Sequence, residues 1–395
     1  MIAKAFLCHY NDDTLRDPKC KGDKKTVKDL IYWLWFMRLK KISLKQKNML
    51  IEQFLSPCVI YSLSPETLLM TKIIDEKTVN YFFQSRSLVQ ATQDLSYLEK
   101  NKITLLLRHD PQFPESLLNL YTPPLALYAK GDLSLLQAPL SIAIIGSRNP
   151  TVAGEKHAKL FSQSLSSVGI TIVSGLADGI DGKSHWGSIN ELGSTIGVLG
   201  TGIDICYPRV NQKIFDLMAQ KGLLLSEFNL GDKPLPYHFP QRNRLISGLS
   251  QGVLVIEARK KSGSLITVNH ALEQGKNVYV IPGDIGTCNW AGGNQLLKEG
   301  AKLVTDPRDI LEDYVLFDQW TDHTEAKTDV YNKQTELKLT NPNERLLFDL
   351  IKKGYRTIDE LVAGSGLPIN QVNSLLTMME IAEIIQIKYG NILLI

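Results

Sequence analysis

Ser141-Ile-Ala-Ile-Ile-Gly-Ser-Arg-Asn-Pro150 runs from a short apolar stretch straight into a turn of small residues. An apolar run of this length, closed by a turn, reads as a strand buried on both faces. It has the form of the first strand and phosphate loop of a nucleotide-binding sheet. Yet Gly146-Ser147-Arg148 lacks the two further glycines that let a dinucleotide pyrophosphate approach the backbone. What this loop holds is the question the rest of the chain has to answer.

Outward from it, apolar strands are expected at 141–145, 170–174, 195–199, 222–226, 252–257 and 277–281, with a weaker one at 302–304, separated by amphipathic helices. Such alternation implies parallel pairing through crossover helices, hence a doubly wound α/β sheet covered on both faces. Ligands of such sheets gather at the carboxyl ends of the strands. Five loops lie there: Gly146-Ser147-Arg148, Ser174-Gly175 through Asp181, Gly200 through Asp204, His238 through Arg244, and Glu257 through Thr267. Small residues let backbone N–H groups face an anion at a helix start, as Ser262-Gly263-Ser264 does with Thr267 one turn in. Arg148, Arg242 and Arg244 are planar, permanently charged donors suited to phosphate oxygens. Phe239 among them suggests a base that stacks while the backbone tracks positive charge, the pattern of single-stranded nucleic acid.

Signals for catalysis are weak. No carboxylate lies in the first two turns after Ser262-Gly263-Ser264, where a nucleotide N-glycosidase of similar layout carries a glutamate. Glu227 and Glu257 stand at strand ends without an obvious partner, and His185 is expected on a helix near the pocket rim in a hydrogen-bonding role. There is no Ser/His/Asp triad and no metal-ligand spacing, so the site reads as a binder with no cofactor or metal.

The flanks differ from the sheet region. Residues 26–100 have helical spacing broken at Ser56-Pro57 and Ser64-Pro65, which suggests a small helical domain at 1–100. Leu30-Ile-Tyr-Trp-Leu-Trp-Phe-Met37 is too short to span a bilayer and reads as a buried helix. Residues 1–50 carry twelve Lys/Arg against five Asp, an excess of seven positive charges, with Arg38, Lys40, Lys41, Lys45 and Lys47 as an auxiliary patch or a solvated face. Residues 101–140 are proline-rich and read as irregular, opening a sheet domain that runs to 315; 316–339 reads as a polar linker. Residues 340–395 give three helices and a hairpin turning at Gly390-Asn391, a winged helix. Its third helix, about Ile369–Glu380, has no Lys or Arg, which favours protein contact over duplex reading.

At 395 residues, two or three domains are expected. A net charge of +3, 44% hydrophobic residues and five scattered cysteines fit a globular protein of a reducing cytoplasm rather than a disulfide framework or zinc site.

The serial motifs IAIIGSRNPT, VSGLADGIDGKSH, GVLGTGIDICYP, HFPQRNRLISGLS, EARKKSGSLIT, VYVIPGDI and GGNQLLKEGA, with HDPQFPESL and PPLALYAKGDL before them, resemble the DNA-processing protein A family (DprA, also called Smf) over nearly all of 109–305. The resemblance implies an extended Rossmann-like domain, flanked by an N-terminal helical domain of the SAM or helix-hairpin-helix kind and a C-terminal winged helix. It implies a non-enzymatic, homodimeric mediator of natural transformation that shields incoming single-stranded DNA and helps load the RecA recombinase. Its pocket, carried onto this chain, comprises Gly146, Ser147, Arg148, Ser174, Gly175, Arg242, Asn243, Arg244, Ser262, Gly263, Ser264 and Thr267, with Lys260 and Lys261 beside the phosphates. Lys183 and Ser184 depart from the family's small apolar residues. The alternatives are a phosphoribohydrolase-like enzyme on nucleotides and a duplex-DNA regulator acting through the winged helix.

Overall fold

The computed structural model describes residues 27–314, 341–352, 355–381, 384–388 and 391–394. Contacts divide the chain into two units, Met1–Asp313 and Tyr314–Ile395. Residues 1–26 and the segment expected as a linker at 316–339 lie outside the described residues.

Among the described residues, the first unit begins with six helices: α1 (Val27–Met37), α2 (Leu44–Phe54), α3 (Pro57–Ser62), α4 (Pro65–Met70), α5 (Glu76–Gln84) and α6 (Val89–Lys100). Both expected breaks are helix starts. Ser56 and Ser64 cap α3 and α4 through their hydroxyls, and each following proline takes the first helical position, where its missing N–H costs nothing. Trp33, Trp35 and Phe36 of α1 are buried, as the aromatic run suggested. Trp35 packs edge-on to Tyr61 and Phe82 and donates its indole N–H to the Ser85 carbonyl at 2.8 Å.

Nine strands form one sheet: β1 (Thr104–Leu107), β2 (Ala126–Gly131), β3 (Ser141–Ile145), β4 (Thr171–Ser174), β5 (Thr195–Val198), β6 (Leu223–Ser226), β7 (Gly252–Val255), β8 (Asn277–Val280) and β9 (Lys302–Leu303). Their order is β1-β2-β6-β5-β4-β3-β7-β8-β9. The seven strands from β6 to β9 pair in parallel, whereas β1 and β2 pair antiparallel with each other and β2 antiparallel with β6. The stretch 101–140, expected to be irregular, therefore supplies two strands that extend the sheet past β6.

The pleat sends neighbouring residues into different cores. Leu105 and Leu107 join Leu224, Met218 and the buried residues of α1–α6, while Leu106 joins Ala143, Val173, Val253 and Val278. The N-terminal helices, expected as a domain of their own, thus share one core with the sheet.

Helices α8 (Val152–Ser167), α9 (Ile180–Ser188), α10 (Gln212–Lys221), α11 (His238–Gly248), α12 (Ser264–Glu273) and α13 (Ala291–Lys298) connect the strands, with the short α7 (Glu115–Leu118) before β2 and α14 (Arg308–Leu311) after β9. The chain winds from β3 through β4 and β5 to β6, then returns to the other side of β3 with β7. The strand order therefore reverses between β3 and β7, and a crevice is expected at their carboxyl ends.

In the second unit, α15 (Pro342–Lys352), α16 (Ile358–Ser365) and α17 (Ile369–Ile381) precede a hairpin of β10 (Ile385–Lys388) and β11 (Asn391–Leu394). Thr357 and Glu360 form a capping box on α16, and Gly366 ends that helix at φ +68°, a left-handed conformation glycine adopts without strain. Leu347, Ile351, Leu361, Val372, Leu376, Ile385 and Ile392 are its core. Asn391, expected in the hairpin turn, belongs to β11.

Candidate nucleic-acid interface

A crevice of about 600 Å³ lies at the switch point. Its walls are the loop after β3, the start of α11 and the segment 259–267 that leads into α12. Gly146, Ser147, Arg148, Phe239, Arg242, Asn243, Lys261, Ser262, Gly263, Ser264 and Thr267 of the expected set line it; Ser174, Gly175, Arg244 and Lys260 do not.

Arg148 is exposed at the mouth, its guanidinium 5.3 Å from the Phe239 ring centroid. Phe239 stands 5.7 Å from Tyr207, so two aromatic rings and a stacked cation form one wall. That ring sits where a Cβ on Gly200 would go. Also in the lining, Gly263 precedes Ser264 with open space around its missing Cβ, and the Ser262 and Ser264 hydroxyls are 2.7 Å apart. Lys261 and Arg259 add exposed charge there.

The segment His238–Arg244, expected as a loop, is the first two turns of α11, and this changes what its arginines do. Arg242 is only 3% exposed and forms the crevice floor. Its Nη1 donates to the Gly175 carbonyl at 2.7 Å and to the Val198 carbonyl. Burial pushes its pKa down to about 10, against the pull of Asp181, so it keeps its charge at neutral pH. Gly175 makes room for that guanidinium rather than for a ligand, since a Cβ there would strike it. Asp181 accepts from the Gly175 N–H at 3.1 Å; burial raises its pKa although Arg242 opposes this.

Arg244 is the correction that matters most. It is buried and paired with Glu227, whose side chain is only 5% exposed. It is a structural cation outside the crevice lining. Burial raises the Glu227 pKa while Arg244 holds it back. Ser174 is fully buried and donates to the Ile144 carbonyl at 2.6 Å, tying β4 to β3. Lys260 is exposed away from the crevice lining.

Both glutamates left open by the sequence are thus engaged. Glu257 accepts from the Thr151 N–H at 3.1 and 3.2 Å, from the Thr151 hydroxyl, and from Asn289 Nδ2 at 3.1 Å. His185 lies in the core rather than at the rim. Its Nδ1 is 2.7 Å from Thr195 Oγ1, whose single proton goes to the Ile172 carbonyl, so Nδ1 must be the donor and Nε2 is left without a partner. Burial, with Arg242 adding to it, lowers its pKa to about 3. His238 stacks on Phe228 at 4.1 Å. Lys183 pairs with Glu155 at 2.8 Å. Asp181, Tyr207 and Arg259 line the crevice and were not singled out in the sequence, although Arg259 adjoins the Lys260-Lys261 pair.

The basic patch on the N-terminal helices disperses. Arg38 is bound to Asp94, and Lys47 is buried with its ammonium donating to the Met37 carbonyl at 2.7 Å. Only Lys40, Lys41 and Lys45 of the five are exposed.

Residues 104–315 match the family model for DNA recombination-mediator protein A, and 333–391 match the DprA winged helix domain. The chain belongs to the DNA recombination-mediator protein A family. Bacillus subtilis DprA is 46% identical over 202 residues, 51% of this chain and 68% of that one. The Streptococcus pneumoniae DprA structure superposes with a TM-score of 0.62 at 34% identity, covering 73% of this chain and 98% of that one. The Helicobacter pylori family member, whose structure is described for its single-stranded DNA binding mode, aligns at 32% identity and a TM-score of 0.50, over 54% of this chain and 95% of that one. Among the described residues of this family member, no helix is long and apolar enough to cross a membrane.

Proposed function

We propose that this chain binds single-stranded DNA in the switch-point crevice and acts as a cytoplasmic recombination mediator that protects incoming strands and helps load RecA, working as a homodimer. One observation carries the binding reading: exposed Arg148 stacks on Phe239 beside Tyr207, in a crevice also lined by Lys261, Arg259 and the start of α12. Cations for a phosphate backbone beside rings for bases are what a single strand requires. Family membership and the Helicobacter pylori relative's DNA binding support the same reading. A nucleotide-hydrolysing role loses support because Glu227 and Glu257, its candidate acids, are buried in internal pairings.

Fluorescence anisotropy of labelled single- and double-stranded oligonucleotides across a salt series tests the reading. Each phosphate neutralised on a single strand contributes about −0.7 to the log–log salt slope, so contacts from Arg148, Arg259 and Lys261 predict a slope near −2. Equal affinity for duplex, or a flat salt response, would overturn it.

A further inference from the structure

Two segments that line the crevice lead into helices, the loop after β3 into α8 and residues 259–267 into α12, and the first turns of those helices are furnished differently. In doubly wound folds the helix behind the first strand is the ordinary seat for a phosphate, because its N–H groups and dipole favour an anion. Here an anion of the chain's own occupies that place. Glu257 is fully buried at the end of β7 and takes both the N–H and the hydroxyl of Thr151, the residue that caps α8 through its bond from Gly154 N–H. A methyl group on Gly154 would run into the Glu257 side chain, so the helix start is shaped around it. Asn289 completes the seat: its Nδ2 donates to Glu257 and to the Asn149 carbonyl, both at 3.1 Å, and its Oδ1 accepts from Arg259 Nε at 2.8 Å. At α12 there is no such occupant. Gly263 precedes it without a side chain, open space surrounds the position, and Lys261 stands on the same wall.

We propose that Glu257 is a specificity-determining residue, a built-in anion that fills the phosphate seat of α8 and thereby bars free mononucleotides, leaving Arg148 and the start of α12 to hold the phosphates of a strand. This rests on the reading of the crevice as a phosphate-binding site. It accounts for a first turn that needs only Gly146-Ser147-Arg148: no ligand phosphate approaches the backbone at α8, so the further glycines are unnecessary.

The test uses the full chain, with AMP as probe in equilibrium dialysis at low ionic strength and labelled oligothymidylate measured in parallel. Glu257→Ala vacates the seat and is expected to bind AMP about tenfold more tightly than the parent, the scale of an anion at a helix N-terminus. Glu257→Gln, which keeps the volume and so leaves the seat filled, is expected to bind AMP no better than the parent. Adding Thr151→Val to Glu257→Ala should abolish the gain, because it removes a donor from the vacated seat. A loss of packing alone would not create affinity for a nucleotide. An alanine variant that melts cooperatively by circular dichroism yet binds AMP no better than the parent overturns the proposal; if the alanine chain does not fold, Glu257→Ser, which also vacates the seat, decides. AMP phosphate seated on Thr151 in crystals of the parent would overturn it as well. A parent that fails to bind oligothymidylate overturns the crevice reading itself, which separates the two failures.

Discussion

Arg148 and Arg244 come from segments that look alike in sequence, small or polar residues around an arginine in a stretch with no clear period. Arg148 stands in solvent at the crevice mouth, against the face of Phe239. Arg244 is sunk in the protein against Glu227, outside the crevice lining. The difference comes from the local backbone. Arg148 sits on a turn that leaves its side chain free to reach, whereas α11 is buried from Arg242 through Gly248 and dedicates its cations to groups within the fold. An arginine's residue type says what it can bind; the burial of its backbone decides whether a ligand can be that partner.

The contrast can be broken most sharply at Arg244. Replacing it with alanine leaves Glu227 buried and unpaired, a loss of about 3–5 kcal/mol in stability read by denaturant unfolding. A variant that unfolds like the parent but loses DNA binding would reverse the assignment. Arg148→Ala should do the opposite: a melting profile unchanged, and affinity for a single strand reduced by about 1.5–3 kcal/mol, with a salt slope shallower by about 0.7. Phe239→Ala should cost about 1–3 kcal/mol of binding, with the slope unchanged because a ring neutralises no phosphate. Among the lysines the comparison becomes fine-grained. Lys261→Ala, on the crevice wall, should weaken binding by up to about 1 kcal/mol, and Lys260→Ala should do less than that.

A pH series checks the core beneath the site. His185 has a folded pKa of about 3, below the unfolded value of about 6.5, so between these the unfolded chain takes up a proton that the native one refuses. The sign follows: this contribution is fully present above about 6.5, and stability falls on acidification through the window by up to about 1.4 kcal/mol per pH unit. A His185→Asn variant should show a shallower fall.

Much of this architecture is legible in the chain. The parallel strands announce themselves as short apolar runs such as Ile142–Ile145 and Val253–Val255, because both faces of a doubly wound sheet are covered. The strands β1 and β2 are hidden by their surroundings: Pro111, Pro114, Pro123 and Pro124 dominate the stretch between them. Helix α11 was illegible for a different reason. Pro240 falls within its first turn, where proline is tolerated, and a helix buried nearly all round shows no amphipathic stripe. The loops of the site could be read, since Gly-Ser-Arg and Ser-Gly-Ser are turn and helix-start chemistry. The pairings of Arg244 and Glu227 could not, because they join residues that only the fold brings together.

The shared core of the N-terminal helices and the sheet also bears on the order in which the molecule can be made. Trp33, Leu34 and Phe36 pack in one cluster with Met218 and Leu224, and β2 waits for β6, which begins about ninety residues further along. At synthesis rates of about 5–20 residues per second, the early helices, complete at Lys100, wait about 120 residues for β6 at Leu223, about 6–25 seconds with an apolar face and no sheet to cover it. Through that interval the nascent chain carries exposed apolar surface, the condition under which growing chains aggregate.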